Sequence, residues 1–212
     1  MLQGTRFLFG AEAVAFDKLT TKLADVVKQA GYNHFIPPAI VAEEFYAKRA
    51  GPELKSQIYT FADLKERPVC LTPEVSAFAV HVFKKHWRIS QPRPVKLWYL
   101  TRCYRYEKSQ EGRYREFWQF GIEHLGDYNQ PRGAEKAMAM LEICLKEAGL
   151  REYAVRTDVP RDMSHYKSGG FEIEADCLGS QKSLAAGGEH ECGSGWAIGV
   201  DRLLLALKKG TT

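Results

Sequence analysis

The side chains best suited to catalysis or ligand binding are concentrated in one aromatic-rich stretch of the sequence. It contains four arginines, Arg102, Arg105, Arg113 and Arg115. Residues two apart on a β-strand share a face, so Phe117, Gln119 and Glu123 are predicted to point the same way. Gly121 between them has no side chain and would leave a gap for a small polar ligand. An aromatic ring, an amide, a carboxylate and a nearby arginine suit a planar anion such as a nucleotide, together with an amine.

A simpler interpretation of the same residues stays open on spacing alone. Polar side chains on the outer face of an antiparallel hairpin are usually solvated, and Arg113 and Arg115 could be ordinary surface charges. The sequence contains no P-loop, and the glycines at 193, 195 and 199 do not form a dinucleotide fingerprint. Residues 189–192 (Glu, His, Glu, Cys) are metal-ligand types, but adjacent positions rarely converge on one ion, so we predict no protein metal site.

Two long antiparallel strands, residues 96–107 and 113–125, are expected to carry these groups, with residues 108–112 as a polar loop. The second strand would turn Trp118, Phe120 and Ile122 towards the core. Periodicity and the positions of glycine and proline predict the remaining elements. These are helices at 11–30, 40–50, 74–83, 133–148 and 203–209, extended or strand segments at 35–41, 57–61, 171–177 and 196–200, and one strand before residue 161.

Composition limits the class of protein. The chain has 212 residues, of which 45% are hydrophobic and 26% charged, with a formal net charge of +4. These values predict one compact domain whose basic balance tolerates an anionic ligand. No apolar run approaches the roughly 18 residues of a membrane span, and no signal peptide is recognisable, so we expect a cytoplasmic protein without a membrane partner. Five widely spaced cysteines do not fit a disulfide scaffold or a zinc ribbon.

Five segments resemble, in order, the motifs of class II aminoacyl-tRNA synthetases, and specifically those of the histidyl family. Residues 97–126 (LWYLTRCYRYEKSQEGRYREFWQFGIEHLG) resemble motif 2, residues 195–205 (GWAIGVDRLLL) motif 3, and residues 31–41 (GYNHFIPPAIV) motif 1. Residues 71–77 (LTPEVSA) resemble the amino-acid-binding loop, and residues 161–172 (RDMSHYKSGGFE) the stretch that carries the histidyl catalytic arginine. The resemblance implies an α+β fold with a mixed, mostly antiparallel sheet flanked by helices.

The resemblance also implies roles for individual residues. The expected catalytic residues are Arg105, Arg161 and Arg202. ATP would contact Arg105, Glu107, Arg113, Phe117 and Arg202, with Phe117 stacking on adenine. The amino acid would contact Glu74, Ser76, Gln119, Glu123 and Tyr166, the acidic groups receiving its ammonium and imidazole. Mg²⁺ would bridge the phosphates, with help from Glu172 or Glu174.

Residues 1–212 are therefore expected to form a single catalytic-core-like domain, without the insertion domain and the C-terminal anticodon-binding domain of the family. The family signature GGRYDGL is replaced by Gly187-Gly188-Glu189-His190-Glu191 beside the amino-acid pocket, which leaves the amino acid open. The expected function is activation of an amino acid, with histidine as the first candidate, to an aminoacyl adenylate for ligation to tRNA. An approach of tRNA to the basic loop is left open.

Two alternatives remain. The chain could be a non-catalytic paralogue that binds histidine as a regulatory subunit, for example of ATP phosphoribosyltransferase, or it could be an excised catalytic core. The segment around Pro38 resembles the dimer interface of the family, so a homodimer is expected.

Overall fold

The computed structural model describes residues 2–126, 133–160, 166 and 170–210. Its helices are α1 (Ala11–Gln29), α2 (Glu43–Ala47), α3 (Pro52–Lys55), α4 (Ser76–Val82), α5 (Gly133–Ala148) and α6 (Val200–Lys209). Its strands are β1 (Asn33–His34), β2 (Ile40–Ala42), β3 (Thr60–Ala62), β4 (Pro68–Leu71), β5 (Val95–Tyr104), β6 (Glu116–Leu125), β7 (Ala154–Val159), β8 (Gly170–Glu174), β9 (Ser183–His190) and β10 (Gly193–Gly199). A π-helical turn follows α4 (Phe83–Trp87), and a 3₁₀ turn follows β8 (Asp176–Leu178).

The strands form two sheets. The larger has seven strands in the order β1-β5-β6-β10-β9-β8-β7, and the smaller has three in the order β2-β4-β3. Only the β1–β5 pair among the described strands is parallel, and all the other pairs are antiparallel. The fold is therefore α+β with a mixed, mostly antiparallel sheet, as predicted.

One face of the large sheet is covered by α1, α5 and α6. Alternate residues of β6 and β10, including Phe120, Ile122, Trp196 and Ile198, are fully buried against these helices. Each helix presents an apolar stripe, such as Leu19, Leu23 and Val27 on α1, which is what its three-and-four spacing predicts. This packing supplies the main core and fixes the strands that carry the site.

The opposite face of the large sheet is only partly covered. There α4 packs through Ala79, Val80 and Phe83 against Leu97 and Leu125 of the central hairpin. The loop before α4 and the hairpin loop leave the middle of this face open as a cleft. The predicted site residues that line the cleft lie on this face.

Element boundaries differ from the predicted ones at the hairpin and at α4. The hairpin strands end at Tyr104 and start at Glu116, where the backbone N–H of Arg115 donates to Gly4 O at 2.7 Å while its carbonyl still accepts the Arg105 N–H at 2.9 Å. Helix α4 starts at Ser76 rather than at Glu74, and the Glu74 carboxylate, two residues before the helix, accepts the Ala77 N–H at 3.0 Å.

The other predicted elements exist with shifted or shorter bounds. The helix expected at 40–50 is limited to Glu43–Ala47, because residues 40–42 pair with β4. The strand expected at 171–177 ends at Glu174, where the 3₁₀ turn follows. Strands β1, β4 and β9 and helix α3 lie outside the predicted segments.

Candidate active site

Small residues form the floor of the open cleft. Strand pairing places Gly121, Ala197, Ala186 and Glu172 in one row across four strands, and Glu123, Gly195 and Gly188 in a neighbouring row. Directly paired residues of adjacent strands point to the same face. The centre of the cleft face is therefore lined by glycine and alanine, which lets a ligand approach the sheet closely.

Nine of the eleven predicted site residues line this one cleft. It has a volume of about 360 Å³. The nine are Glu74, Ser76, Arg105, Glu107, Arg113, Phe117, Gln119, Tyr166 and Arg202. Of the other two, Glu123 lies below the surface of the cleft, and Arg161 lies outside the described residues. Residues from positions 74 to 202 thus meet on one surface.

Arg105 lies at the end of β5, directly above the aromatic ring of Phe117. Its guanidinium carbon is 5.4 Å from the ring centroid, and its Nε donates to Pro73 O at 2.9 Å. These two contacts hold the guanidinium in a half-buried position in the lining of the cleft. A guanidinium held in this way is preorganised to meet an anionic group beside a planar ring.

Arg202 approaches the cleft from the first turn of α6. Its Nε donates to Ser183 O at 2.5 Å, and its terminal nitrogens donate to Gln181 O and to Gly112 O. Burial, together with the charge of Arg113, lowers the pKa of Arg202 from its usual value. Among the described residues, Arg202 bonds three neutral carbonyl groups and no anion, so an incoming anion would be favoured beside this half-buried positive charge.

The hairpin loop contributes a paired arginine. Arg113 donates to the Glu107 carboxylate, and Arg115 donates to Glu107 O at 3.0 Å. The Glu107 side chain is 9% exposed, so this ion pair is largely shielded from water. The pair fixes the loop over the cleft and places Arg113 close enough to Arg202 to influence its pKa.

Glu74 is a carboxylate of the cleft lining and is 8% exposed. Burial raises the pKa of Glu74 to about 7, and the negative charge of Glu123 acts in the same direction. The Ala77 N–H and the charge of Arg105 oppose this rise. An ammonium group bound beside Glu74 would lower this raised pKa again, because the positive charge favours the ionised carboxylate.

Glu123 is engaged with neighbouring side chains below the cleft. Its Oε1 accepts a hydrogen bond from Ser76 Oγ at 2.5 Å, and its Oε2 is 2.9 Å from His190 Nε2. The side chains of Glu123 and His190 are both 0% exposed. The ring of Tyr166 meets that of His190 edge to face, with 6.3 Å between centroids. Glu123, one of the two acidic groups expected to receive the ammonium and the imidazole of the ligand, therefore already has an imidazole partner.

The gap predicted above Gly121 is filled, and that prediction is wrong. A Cβ on Gly121 would collide with the ring and hydroxyl of Tyr99, which crosses from the neighbouring strand. The open space lies instead beside it, over Ala197 and Ala186. The hydroxyl of Tyr99 is buried and has no hydrogen-bond partner among the described residues.

Two functional positions carried no signal strong enough to predict. Asp201, 5% exposed, binds Arg6 and accepts the Trp118 N–H at 2.7 Å, so it ties the start of α6 to β6. His190 is two residues from Gly188 along β9, so both residues lie on the cleft face of the sheet. Recognition of β9 as a strand would have revealed this alternation, but its Ala and Gly residues have low β-propensity.

The structure also bears on metal binding and membrane insertion. Within the described ranges, no group of three or more His, Cys, Asp or Glu side chains is placed to hold a metal ion. Over the same residues, none of the helices combines the length and the apolar character that crossing a bilayer requires.

Known proteins are similar to this chain in sequence and in fold. The family model for histidyl-tRNA synthetase matches residues 4–160. The histidine–tRNA ligase of Pyrobaculum neutrophilum is 34% identical over 154 residues, which are 73% of this chain and 36% of that protein. The chain thus spans about a third of the length of the curated relatives it matches.

Two solved structures show the same fold at lower identity. The apo histidyl-tRNA synthetase of S. aureus superposes with a TM-score of 0.79 at 22% identity, covering 100% of this chain and 70% of that one. An ATP phosphoribosyltransferase regulatory subunit/histidyl-tRNA synthetase from Bacillus halodurans gives a TM-score of 0.82 at 15% identity, covering 98% and 82%. At these identities the superpositions establish the architecture alone.

Proposed function

This chain belongs to the histidyl-tRNA synthetase family, and we propose that it joins ATP and an amino acid in the cleft to form an aminoacyl adenylate. The observation that carries this proposal is the position of Arg105, Phe117 and Arg202 on one cleft. Two arginines from distant segments and an aromatic ring are the groups that a triphosphate and a purine need. Glu74 beside them supplies the complementary charge for an amine.

The reaction needs little from the protein beyond position and charge. An oxygen of the amino-acid carboxylate attacks the α-phosphorus of ATP, a new P–O bond forms, and the bond to pyrophosphate breaks. The carboxylate is already ionised at neutral pH, so no general base is required. Arg105 would stabilise the charge that develops on the α-phosphate, and Arg202 would hold the leaving pyrophosphate end. Arg161 is proposed as the third cation of this set.

Phe117 would orient ATP in the cleft, and Glu74 would orient the amino acid. The ring of Phe117 would stack on the base. Arg105, whose guanidinium carbon is 5.4 Å from the ring centroid, would contact the phosphate that follows. Glu74 and Gln119 lie further along the same face, where Glu74 would bind the ammonium group. The carboxylate of the amino acid would then lie between its own ammonium group and the α-phosphate, which is the geometry that attack requires.

Mg²⁺ is proposed to enter with the phosphates. This ion keeps several waters and uses only one or two protein carboxylates in nucleotide sites. Glu172 fits such a role, because it pairs with Ala186 of the cleft floor and its charge acts on Arg202. Glu174 is less available, since it is bonded to Arg156 at 3.1 Å. Bound Mg²⁺ would neutralise phosphate charge during the displacement.

The wider setting is part of the same proposal. We expect a cytoplasmic homodimer that forms through the segment around Pro38, and a tRNA acceptor end that approaches the basic hairpin loop. Sedimentation at micromolar concentration tests the dimer: a species of twice 24.0 kDa is expected, and a species of 24.0 kDa would remove this part of the proposal.

Exchange of labelled pyrophosphate into ATP tests the activation step, because only a reversible adenylation gives a signal that depends on the amino acid. We expect stimulation by at least one of the twenty amino acids, and a loss of about 100-fold or more in Arg105→Ala. Arg67→Ala is the matched control, since that arginine is exposed in the loop between β3 and β4 and bonds Asp63 at the surface. No stimulation by any amino acid would refute the activity.

The same preparation separates the regulatory alternative. Calorimetry with ATP and with histidine distinguishes the two roles, because a histidine-binding regulatory subunit has no need for ATP. Binding of ATP that Phe117→Ala weakens supports the synthetase-like role. Binding of histidine without binding of ATP would support the regulatory role instead.

A further inference from the structure

We propose that His190 closes the side-chain end of the amino-acid pocket from within, so that the site accepts an amino acid with a small side chain, such as glycine, alanine or serine, in place of histidine. This inference rests on the proposed adenylation. It adds a substrate class and names His190 as the residue that determines it.

The first support is the hydrogen bonding and burial of the Glu123 carboxylate. Each of its two carboxylate oxygens already has a side-chain donor, Ser76 Oγ at 2.5 Å on one and His190 Nε2 at 2.9 Å on the other. The carboxylate is fully buried and is not part of the cleft surface. A ligand side chain in the cleft therefore meets neither oxygen.

The second support is the direction of the His190 hydrogen bonds. The backbone N–H of Cys192 donates to His190 Nδ1 at 3.3 Å, so Nδ1 is an acceptor. The ring proton is consequently on Nε2, and Nε2–H donates to Glu123. The imidazole of His190 thus makes the hydrogen bond that a bound histidine would otherwise make with this carboxylate. Placing a second imidazole there would break this bond and leave a buried donor unpaired.

The third support is steric. A Cβ on Gly195 would collide with the Glu123 carboxylate, so the carboxylate lies flat on the strand and cannot retreat further. Tyr166 closes the other side of His190 by its edge-to-face contact. His190 and the Ser76 hydroxyl contact Glu123 directly, Tyr166 packs on His190, and the Glu123 side chain is 0% exposed. Among the described residues, the cleft is open to an amino-acid side chain where Ala186 and Ala197 line it.

Pyrophosphate exchange across the twenty amino acids tests the proposal on the wild-type chain. Glycine, alanine or serine is expected to stimulate exchange at least about tenfold more than histidine, because a closed pocket rejects the larger side chain by overlap. Equal or stronger stimulation by histidine would overturn the inference and leave the adenylation intact. No stimulation by any amino acid would instead refute the proposed function on which the inference rests.

Two variants test His190 itself. His190→Gly opens a ring-sized space beside Glu123, so histidine should now stimulate exchange and its preference relative to alanine should rise about tenfold or more. His190→Gln keeps both a donor and a similar volume, so histidine should stay excluded. If His190→Gly leaves the preference unchanged, His190 does not determine it.

A binding measurement needs no catalysis. Free imidazole should raise the melting temperature of His190→Gly, because it fills the space and restores the hydrogen bond to Glu123. It should not raise the melting temperature of the wild type or of His86→Gly, which loses an exposed histidine. An equal effect of imidazole on all three proteins would contradict an imidazole-shaped site at His190.

Discussion

Glu74 predicts a specific pH dependence for the binding of an amino acid. Burial raises the pKa of this carboxyl to about 7, and Arg105 and Glu123 are the charged neighbours that modify it. Only the ionised carboxylate pairs with an ammonium group, while the amine of a free amino acid stays protonated between pH 6 and 8. Affinity should therefore rise with pH over this range, because the fraction of ionised Glu74 rises.

The magnitude follows from the pKa. With a pKa of about 7, roughly one tenth of Glu74 is ionised at pH 6 and roughly nine tenths at pH 8, so the apparent dissociation constant should fall about tenfold. At pH 7 the binding of one amino acid should release about half a proton. Calorimetry in two buffers of different ionisation enthalpy measures both quantities.

Glu74→Gln is the matched variant, because it keeps the size of the side chain and an acceptor for the Ala77 N–H. Its affinity should be weaker at pH 8 and independent of pH between 6 and 8. A tenfold dependence that persists in Glu74→Gln would refute the assignment of the ammonium to Glu74.

The same pKa has a consequence for stability that does not involve a ligand. A carboxyl whose pKa is higher in the folded state than in the unfolded state favours folding while it is protonated and loses this contribution as pH rises. Between the ordinary value of 4.5 and about 7, the free energy of unfolding should fall by about 3 kcal/mol. Urea titrations at pH 5 and pH 8 should show this fall in the wild type and a smaller one in Glu74→Gln.

Three further variants test the site and its supports. Arg202→Lys should lower pyrophosphate exchange about tenfold or more, because lysine cannot present two parallel donors to a phosphate, and unchanged exchange would contradict contact with ATP. Phe117→Leu should raise the KM for ATP about tenfold through loss of stacking, whereas Phe117→Tyr should not, and equal effects would exclude stacking. Asp201→Ala should lower the free energy of unfolding by about 3 kcal/mol, since it leaves Arg6 and the Trp118 N–H without their acceptor. Asp201→Asn should cost clearly less, and equal costs in urea titration would show that these bonds contribute little.

The central hairpin could be predicted from sequence because its information is local. Alternation along β6 places Phe120 and Ile122 in the core and leaves Phe117, Gln119 and Glu123 on the other face. Any strand with this pattern exposes the same two faces, whatever packs on them. The family motifs then identified the distant partners Glu74 and Arg202, which the spacing within the hairpin could not supply.

The details that were missed depend on tertiary contacts. Whether Gly121 leaves a gap depends on Tyr99 of the neighbouring strand, and no local pattern records that the phenol fills it. Strand β9 was missed because its alanines and glycines are poor strand formers. A glycine is needed at position 187, since a Cβ there would collide with Phe171 and Trp196. The bond between Glu123 and His190 joins residues 67 apart, and only the register of three strands brings them together.

A crystal structure of the chain with a non-hydrolysable ATP analogue tests the central claim most directly. The account predicts that one triphosphate lies along the cleft, with side-chain nitrogens of both Arg105 and Arg202 within about 3 Å of its phosphoryl oxygens and the base on the ring of Phe117. A nucleotide bound elsewhere, or one that contacts neither arginine, would contradict it.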